Sequence, residues 1–137
     1  MLSGKNALRD LRRGQSSRTR MSANIIFVHD DPEFLEEAGA ALRLAGHKVD
    51  TFREPMEALC ALETASFEIL ITRARFPIGQ PNGVTLARMS RMKHPSIKLV
   101  FTVAAEYAEY TEEFGETLTA PIDIPELVAV VARVASA

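Results

Sequence analysis

The run Glu68-Ile69-Leu70-Ile71-Thr72-Arg73, followed by Pro77, Asn82-Gly83 and then a helical pattern, constrains the chain more than any other stretch. A short, unbroken apolar run belongs in the middle of a parallel sheet, where both faces of a strand are covered. Arg73 ends the run. It is therefore delivered to the rim at the carboxyl ends of the strands, which is where ligands and chemistry sit in open α/β sheets.

The rest of the chain repeats this strand-then-helix pattern. Asn24–Val28 reads as a central strand. Asp31 and Pro32 then give an N-cap and a proline at N1, with Glu33 in the first turn. The helix they open runs to about Ala45, with Phe34, Leu35, Ala38, Ala41, Leu42 and Ala45 on one face, and Gly46 ends it. Val49–Phe52 reads as an edge strand and Glu54–Ala65 as a helix with Leu59 and Leu62 inward. Gly83–Lys93 follows as a helix offering Val84, Leu86, Ala87 and Met89 to the core. Ile97–Thr102 reads as a strand, Ala104–Phe114 as a helix with a weak apolar face, and Thr117–Thr119 as a short strand. A final helix opens at Pro125 with a stripe of Leu127, Val130, Val131 and Val134. This alternation predicts an α/β, flavodoxin-like (βα)5 three-layer sandwich with a parallel five-stranded sheet in the order 2-1-3-4-5.

Charge is distributed unevenly. Residues 1–20 carry six basic residues against one acid, and the remainder carries ten against seventeen. Residues 1–22 hold little to bury and read as a disordered basic leader ahead of a domain over 23–137. The alternatives are a basic arm for an acidic partner, or a true start at Met21. The acidic domain argues against non-specific nucleic-acid binding. A single cysteine excludes an internal disulfide and suits a reducing cytoplasm. No apolar run reaches the ~20 residues of a membrane span.

The expected order brings the ends of strands one, three, four and five together. They contribute His29 and Asp30, Arg73, Thr102, and Ala120-Pro121. With these in place, residues 24–135 resemble the receiver domain of bacterial two-component response regulators, of the CheY-like type. The resemblance rests on Phe27-Val28-His29-Asp30-Asp31-Pro32, Glu57-Ala58-Leu59, Ile69–Arg73 with Pro77 and Asn82-Gly83, Val100-Phe101-Thr102, and Leu118-Thr119-Ala120-Pro121. It implies an aspartate phosphoacceptor after the third strand and an acidic pair after the first that helps hold Mg²⁺. It also implies a Ser or Thr after the fourth strand and a lysine before the proline after the fifth.

Three of those places differ here. Arg73 stands at the phosphoacceptor position, His29 at the first acidic position and Ala120 at the lysine position; Asp30 and Thr102 match. Arginine stays protonated and has no nucleophilic atom at neutral pH. No Asp or Glu lies between Ile69 and Gly83 to replace it. The expectation is a pseudo-receiver that takes up no phosphate and binds Mg²⁺ weakly or not at all, with no other cofactor. Pairing Asp30 with Asp31 would restore part of a metal site but not the acceptor. Arg73 itself has three readings: an ion pair with Asp30, an anion or partner pocket with His29 and Thr102, or a side chain turned to solvent.

Thr102 and Ala120 are closer in sequence than the resemblance implies, so the fourth helix or its loops are short. Thr117 falls where relatives often carry Tyr or Phe. The loop to Gly83 is longer than usual, leaving Ile78, Gly79, Gln80 and Pro81 for a new contact. Cys60 reads as buried core, and His47 and His94 as exposed turns. The histidines and the cysteine lack metal-ligand spacing. His29, Asp30 and Thr102 can be written as a catalytic trio, but no enzyme is expected. No phosphate-cradling glycine loop follows the first strand.

The function expected is a phosphorylation-independent interaction module in a phosphorelay. Its partner would be a histidine kinase, a phosphotransfer protein or an output protein, and a homodimer is allowed. The alternatives are a working phosphorelay receiver with an unorthodox acceptor such as Thr72 or Thr102, or a flavodoxin-like small-ligand protein.

Overall fold

Apolar residues fill the three middle strands so completely that both of their faces must be covered. The computed structural model describes residues 22–77 and 82–137. Among them, β1 (Asn24–Val28), β3 (Ile69–Thr72) and β4 (Lys98–Val103) are buried at nearly every position. β2 (Lys48–Phe52) and β5 (Glu116–Thr119) flank them and are more exposed. All pairings are parallel and the order is β2-β1-β3-β4-β5, as the alternation predicts.

Alternate strand residues feed two cores. Ile25, Phe27, Ile69, Ile71, Val100 and Leu118 face α1 (Pro32–Leu44) and α5 (Ile124–Ser136), meeting Leu35, Ala38, Leu42, Leu127 and Val131. Ile26, Val28, Leu70, Leu99 and Phe101 face the other way. They meet α2 (Pro55–Thr64) and α3 (Gly83–Lys93) through Ala58, Leu62, Val84, Leu86 and Ala87. Each large side chain so covered contributes about 1.5–3 kcal/mol. The short α4 (Ala105–Thr111) joins the α2/α3 layer over β4 and β5, packing Tyr107 and Ala108 on that core.

Local chemistry sets the helix ends. The Asp31 carboxylate accepts from the backbone N–H groups of Glu33 and Phe34, and Asn82 and Asp123 cap α3 and α5 in the same way. Gly46 follows α1 with φ +105°, the left-handed turn that stops the helix.

Several expectations are corrected. Cys60 is exposed, because it lies two residues, about 200° of helical rotation, past the inward Ala58. Met89 is also exposed, and Ser90 takes the buried position beside it. His47 is buried, its Nδ1 accepting from the Ala23 N–H. His94 is half-buried, with Nε2 3.0 Å from the Leu62 carbonyl oxygen. Ala45 is exposed. α4 stops at Thr111, short of Phe114, where the Thr111 hydroxyl turns back onto the Tyr107 and Ala108 carbonyls. Gly115 then lies so close to the Leu99 carbonyl that a Cβ there would meet its oxygen at 2.4 Å. The proposed leader falls outside the described residues except for Ser22, whose hydroxyl donates to the Gly46 carbonyl at 2.6 Å. Ile78, Gly79, Gln80 and Pro81 fall outside them as well.

Candidate functional site at the carboxyl rim of the sheet

β1 and β3 end level with Phe101 near the end of β4, since Val28 pairs with Thr72 and Thr72 with Phe101. The next residue on each strand is His29, Arg73 or Thr102. By alternation with Phe27, Ile71 and Val100, all three fall on the α1/α5 side. One rim thus gathers a histidine, an arginine and a threonine next to Asp30.

The Arg73 guanidinium donates from Nη1 to Asp30 Oδ1 at 2.6 Å. The two side chains are 36% and 30% exposed, so the pair closes the rim without being sealed from water. Burial pushes the Asp30 carboxyl up. The hydrogen bond and charge of Arg73 outweigh that effect and hold it below its ordinary value. Of the three readings open for Arg73, the ion pair is the geometry observed.

The backbone around Arg73 is held tightly. Gly83 packs on it so closely that a Cβ at 83 would lie 1.4 Å from the Arg73 carbonyl oxygen. The Gly83 N–H donates to Ala74, and the Thr72 hydroxyl donates to the Arg73 carbonyl. Asn82-Gly83 therefore does two jobs: it caps α3 and lets α3 approach the end of β3.

His29 sits over the Phe34 ring, centroids 4.7 Å apart, and its Nδ1 accepts from the Asp31 N–H at 3.0 Å. The ring proton therefore belongs on Nε2. Its Nδ1 is 3.9 Å from Asp30 Oδ1, but a neutral ring makes that no ion pair. Burial, aided by the Arg73 charge and opposed by Asp30 and Asp31, lowers the His29 pKa to about 4. At neutral pH the rim holds a neutral imidazole and a compensated Arg–Asp pair.

Thr102 is buried and its hydroxyl has no hydrogen-bond partner among the described residues. Thr117 points to the opposite face of β5, where its hydroxyl meets that of Thr111 at 2.9 Å. Ala120 and Pro121 are exposed and joined by a cis peptide; the Ala120 N–H donates to the Val103 carbonyl. The methyl of Ala120 brings no charge to the rim. Among the described residues, no three His, Cys, Asp or Glu side chains gather as a metal site, and no helix is long and apolar enough to cross a membrane. The tilted His29–Phe34 contact and the Thr111–Thr117 pair escaped sequence reasoning.

No protein-family model matches the chain. It is 30% identical over 114 residues to the DNA-binding transcriptional regulator NtrC of Klebsiella pneumoniae, a match covering 80% of this chain and 24% of that protein. It is 29% identical over 122 residues to NtrC of Salmonella typhimurium, covering 85% and 26%. The chain thus spans about a quarter of the length of the curated relatives it matches. Among solved structures, the response regulator receiver protein from Sinorhizobium medicae superposes with TM-score 0.75 at 24% identity, covering 85% of this chain and 96% of that one. The non-phosphorylated HemR receiver domain from Leptospira biflexa gives 0.73 at 25%, covering 83% and 94%. The described residues form a receiver domain of the response-regulator, CheY-like type.

Proposed function

We infer that this receiver domain serves two-component signalling as a protein-interaction module whose state is not set by phosphorylation of an aspartate. The observation that carries this reading is the Arg73–Asp30 pair at the carboxyl rim. Arg73 is the acceptor-equivalent residue, and a guanidinium has no atom to receive a phosphoryl group.

The residues present do not fit Mg²⁺. That ion wants carboxylate and other oxygen ligands in near-octahedral array. Asp30 is taken by Arg73, Asp31 by the first N–H groups of α1, and the Nδ1 of His29 by the Asp31 N–H. The uncharged Ala120 leaves nothing at the lysine-equivalent position to pair with a phosphoryl group. Thr72 and Thr102 are poor substitute acceptors, because both are buried out of reach of a phosphodonor.

The ion pair would hold one arrangement of a rim that in relatives changes with phosphorylation. The partner is then a kinase, a phosphotransfer protein or an output protein that reads a fixed surface. The domain-sized match to DNA-binding regulators favours an output protein.

Mg²⁺ titration followed by amide NMR tests the reading. The signals of Asp30, Asp31 and Arg73 should stay in place for the natural chain, while Arg73→Asp, which adds a second carboxylate beside Asp30, should bind about ten-fold more tightly or better. Tight Mg²⁺ binding at Asp30 in the natural chain would overturn it.

A further inference from the structure

We propose that the groove between α3 and α4 binds an acidic segment of a partner protein. Two arginines frame it. Arg75, in the loop after β3, holds its guanidinium carbon 5.8 Å from the centre of the Tyr107 ring, with Nη1 3.5 Å from the Tyr107 hydroxyl. Arg88, on α3, stands 5.2 Å from the centre of the Phe114 ring. An arginine laid over an aromatic face is positioned by the ring while its in-plane N–H groups stay free to donate.

The charge pattern points outward. Arg73, Lys93 and Arg133 meet Asp30, Glu63 and Glu116, and Arg43 and Arg91 donate to the Val49 and Ile97 carbonyls. Among the described residues, Arg75 and Arg88 meet no carboxylate, although acids outnumber bases over residues 21–137. Between them lies a groove of about 320 Å³ whose lining includes Asn82, Thr85, Tyr107 and Tyr110 and no acidic side chain. Tyr110 is half exposed beside it.

Forked donors at two edges, amide and hydroxyl groups along the wall and exposed aromatic surface suit carboxylates flanking an apolar side chain. Glu106 and Glu109 on α4, and Glu112 and Glu113 just after it, lie outside the lining. A long nucleic-acid backbone would run from the groove onto the acidic surface around it, whereas a short acidic segment can keep its carboxylates between Arg75 and Arg88. This proposal needs no assumption about the rim, and its test uses no phosphodonor.

The test is fluorescence anisotropy of the full chain with a fluorescein-labelled Glu–Glu–Leu–Glu–Glu peptide, joined to amide NMR. Saturable binding is expected, with shifts at Thr85, Tyr107 and Tyr110. Arg75→Ala and Arg88→Ala should each weaken it about ten-fold, and Arg75→Lys, which keeps charge but loses the fork, should weaken it less. Absence of saturable binding would overturn the proposal. So would binding that survives the double substitution without moving those amides, since the peptide would then sit on the basic residues 1–20. Displacement of the peptide by equimolar inorganic phosphate would also overturn it, by making the groove a site for free anions.

Discussion

Asp30 accepts a hydrogen bond from Arg73 across the ends of β1 and β3 at 2.6 Å, joining two residues 43 apart in sequence. Because both side chains are about a third exposed, water screens the attraction. Asp30→Ala should therefore cost only about 1 kcal/mol. Urea unfolding of the single variants Asp30→Ala and Arg73→Ala and of the double variant checks this, with a coupling energy of the same modest size expected.

Acid should weaken the fold in two stages. His29 has a folded pKa near 4, below its ordinary 6.5, because it is buried and lies near Arg73. The unfolded chain therefore binds more protons between those values, and stability is lost as pH falls from about 6.5 towards 4. A shift from 6.5 to about 4 corresponds to roughly 3 kcal/mol. His47, also lowered chiefly by burial, acts with the same sign. Asp30, held below its ordinary value, contributes above about pH 3.9 and loses that contribution as pH falls through its folded pKa. Thermal unfolding across this range should slope downward towards acid, and His29→Asn should flatten the slope without abolishing it.

Gly83→Ala should be among the most damaging single substitutions at the site. The new methyl would collide with the backbone carbonyl of Arg73 rather than with a movable side chain. A cost of about 2–4 kcal/mol is expected, with displacement of the Arg73–Asp30 pair. Asn82→Ala removes only the cap on Thr85 and should cost about 1 kcal/mol. Calorimetry of the two variants separates the effects.

Two threonines should respond oppositely to the same change. Thr102→Val replaces an unpartnered buried hydroxyl with a methyl and should be neutral or stabilising by up to about 1 kcal/mol. Thr111→Val removes bonds to Tyr107, Ala108 and Thr117 and should destabilise by about 1–2 kcal/mol. Denaturant midpoints decide this directly.

The sheet order was legible because unbroken runs such as Ile69–Ile71 allow only a strand covered on both faces, and because caps such as Asp31-Pro32 and Asn82-Gly83 mark helix starts chemically. The placing of His29 and Arg73 followed from strand ends, and that of Thr102 from its register one residue past Phe101, in a strand that runs on to Val103. Burial of single residues on short helices was less legible. Cys60 and Met89 are apolar enough for a core, yet helical rotation turns them outward. His47 is polar, yet the Ala23 N–H pays for its burial. The Arg75 and Arg88 aromatic contacts span residues 26 or more apart, and no local pattern encodes them.

The decisive measurement is intact mass and amide NMR of the full chain incubated with acetyl phosphate and Mg²⁺, and separately with beryllofluoride and Mg²⁺. The mass should stay unchanged and the signals of Asp30, Arg73 and Thr102 should not move. Stoichiometric gain of one phosphoryl group at the rim, or a beryllofluoride complex there, would contradict a receiver that works without phosphorylation.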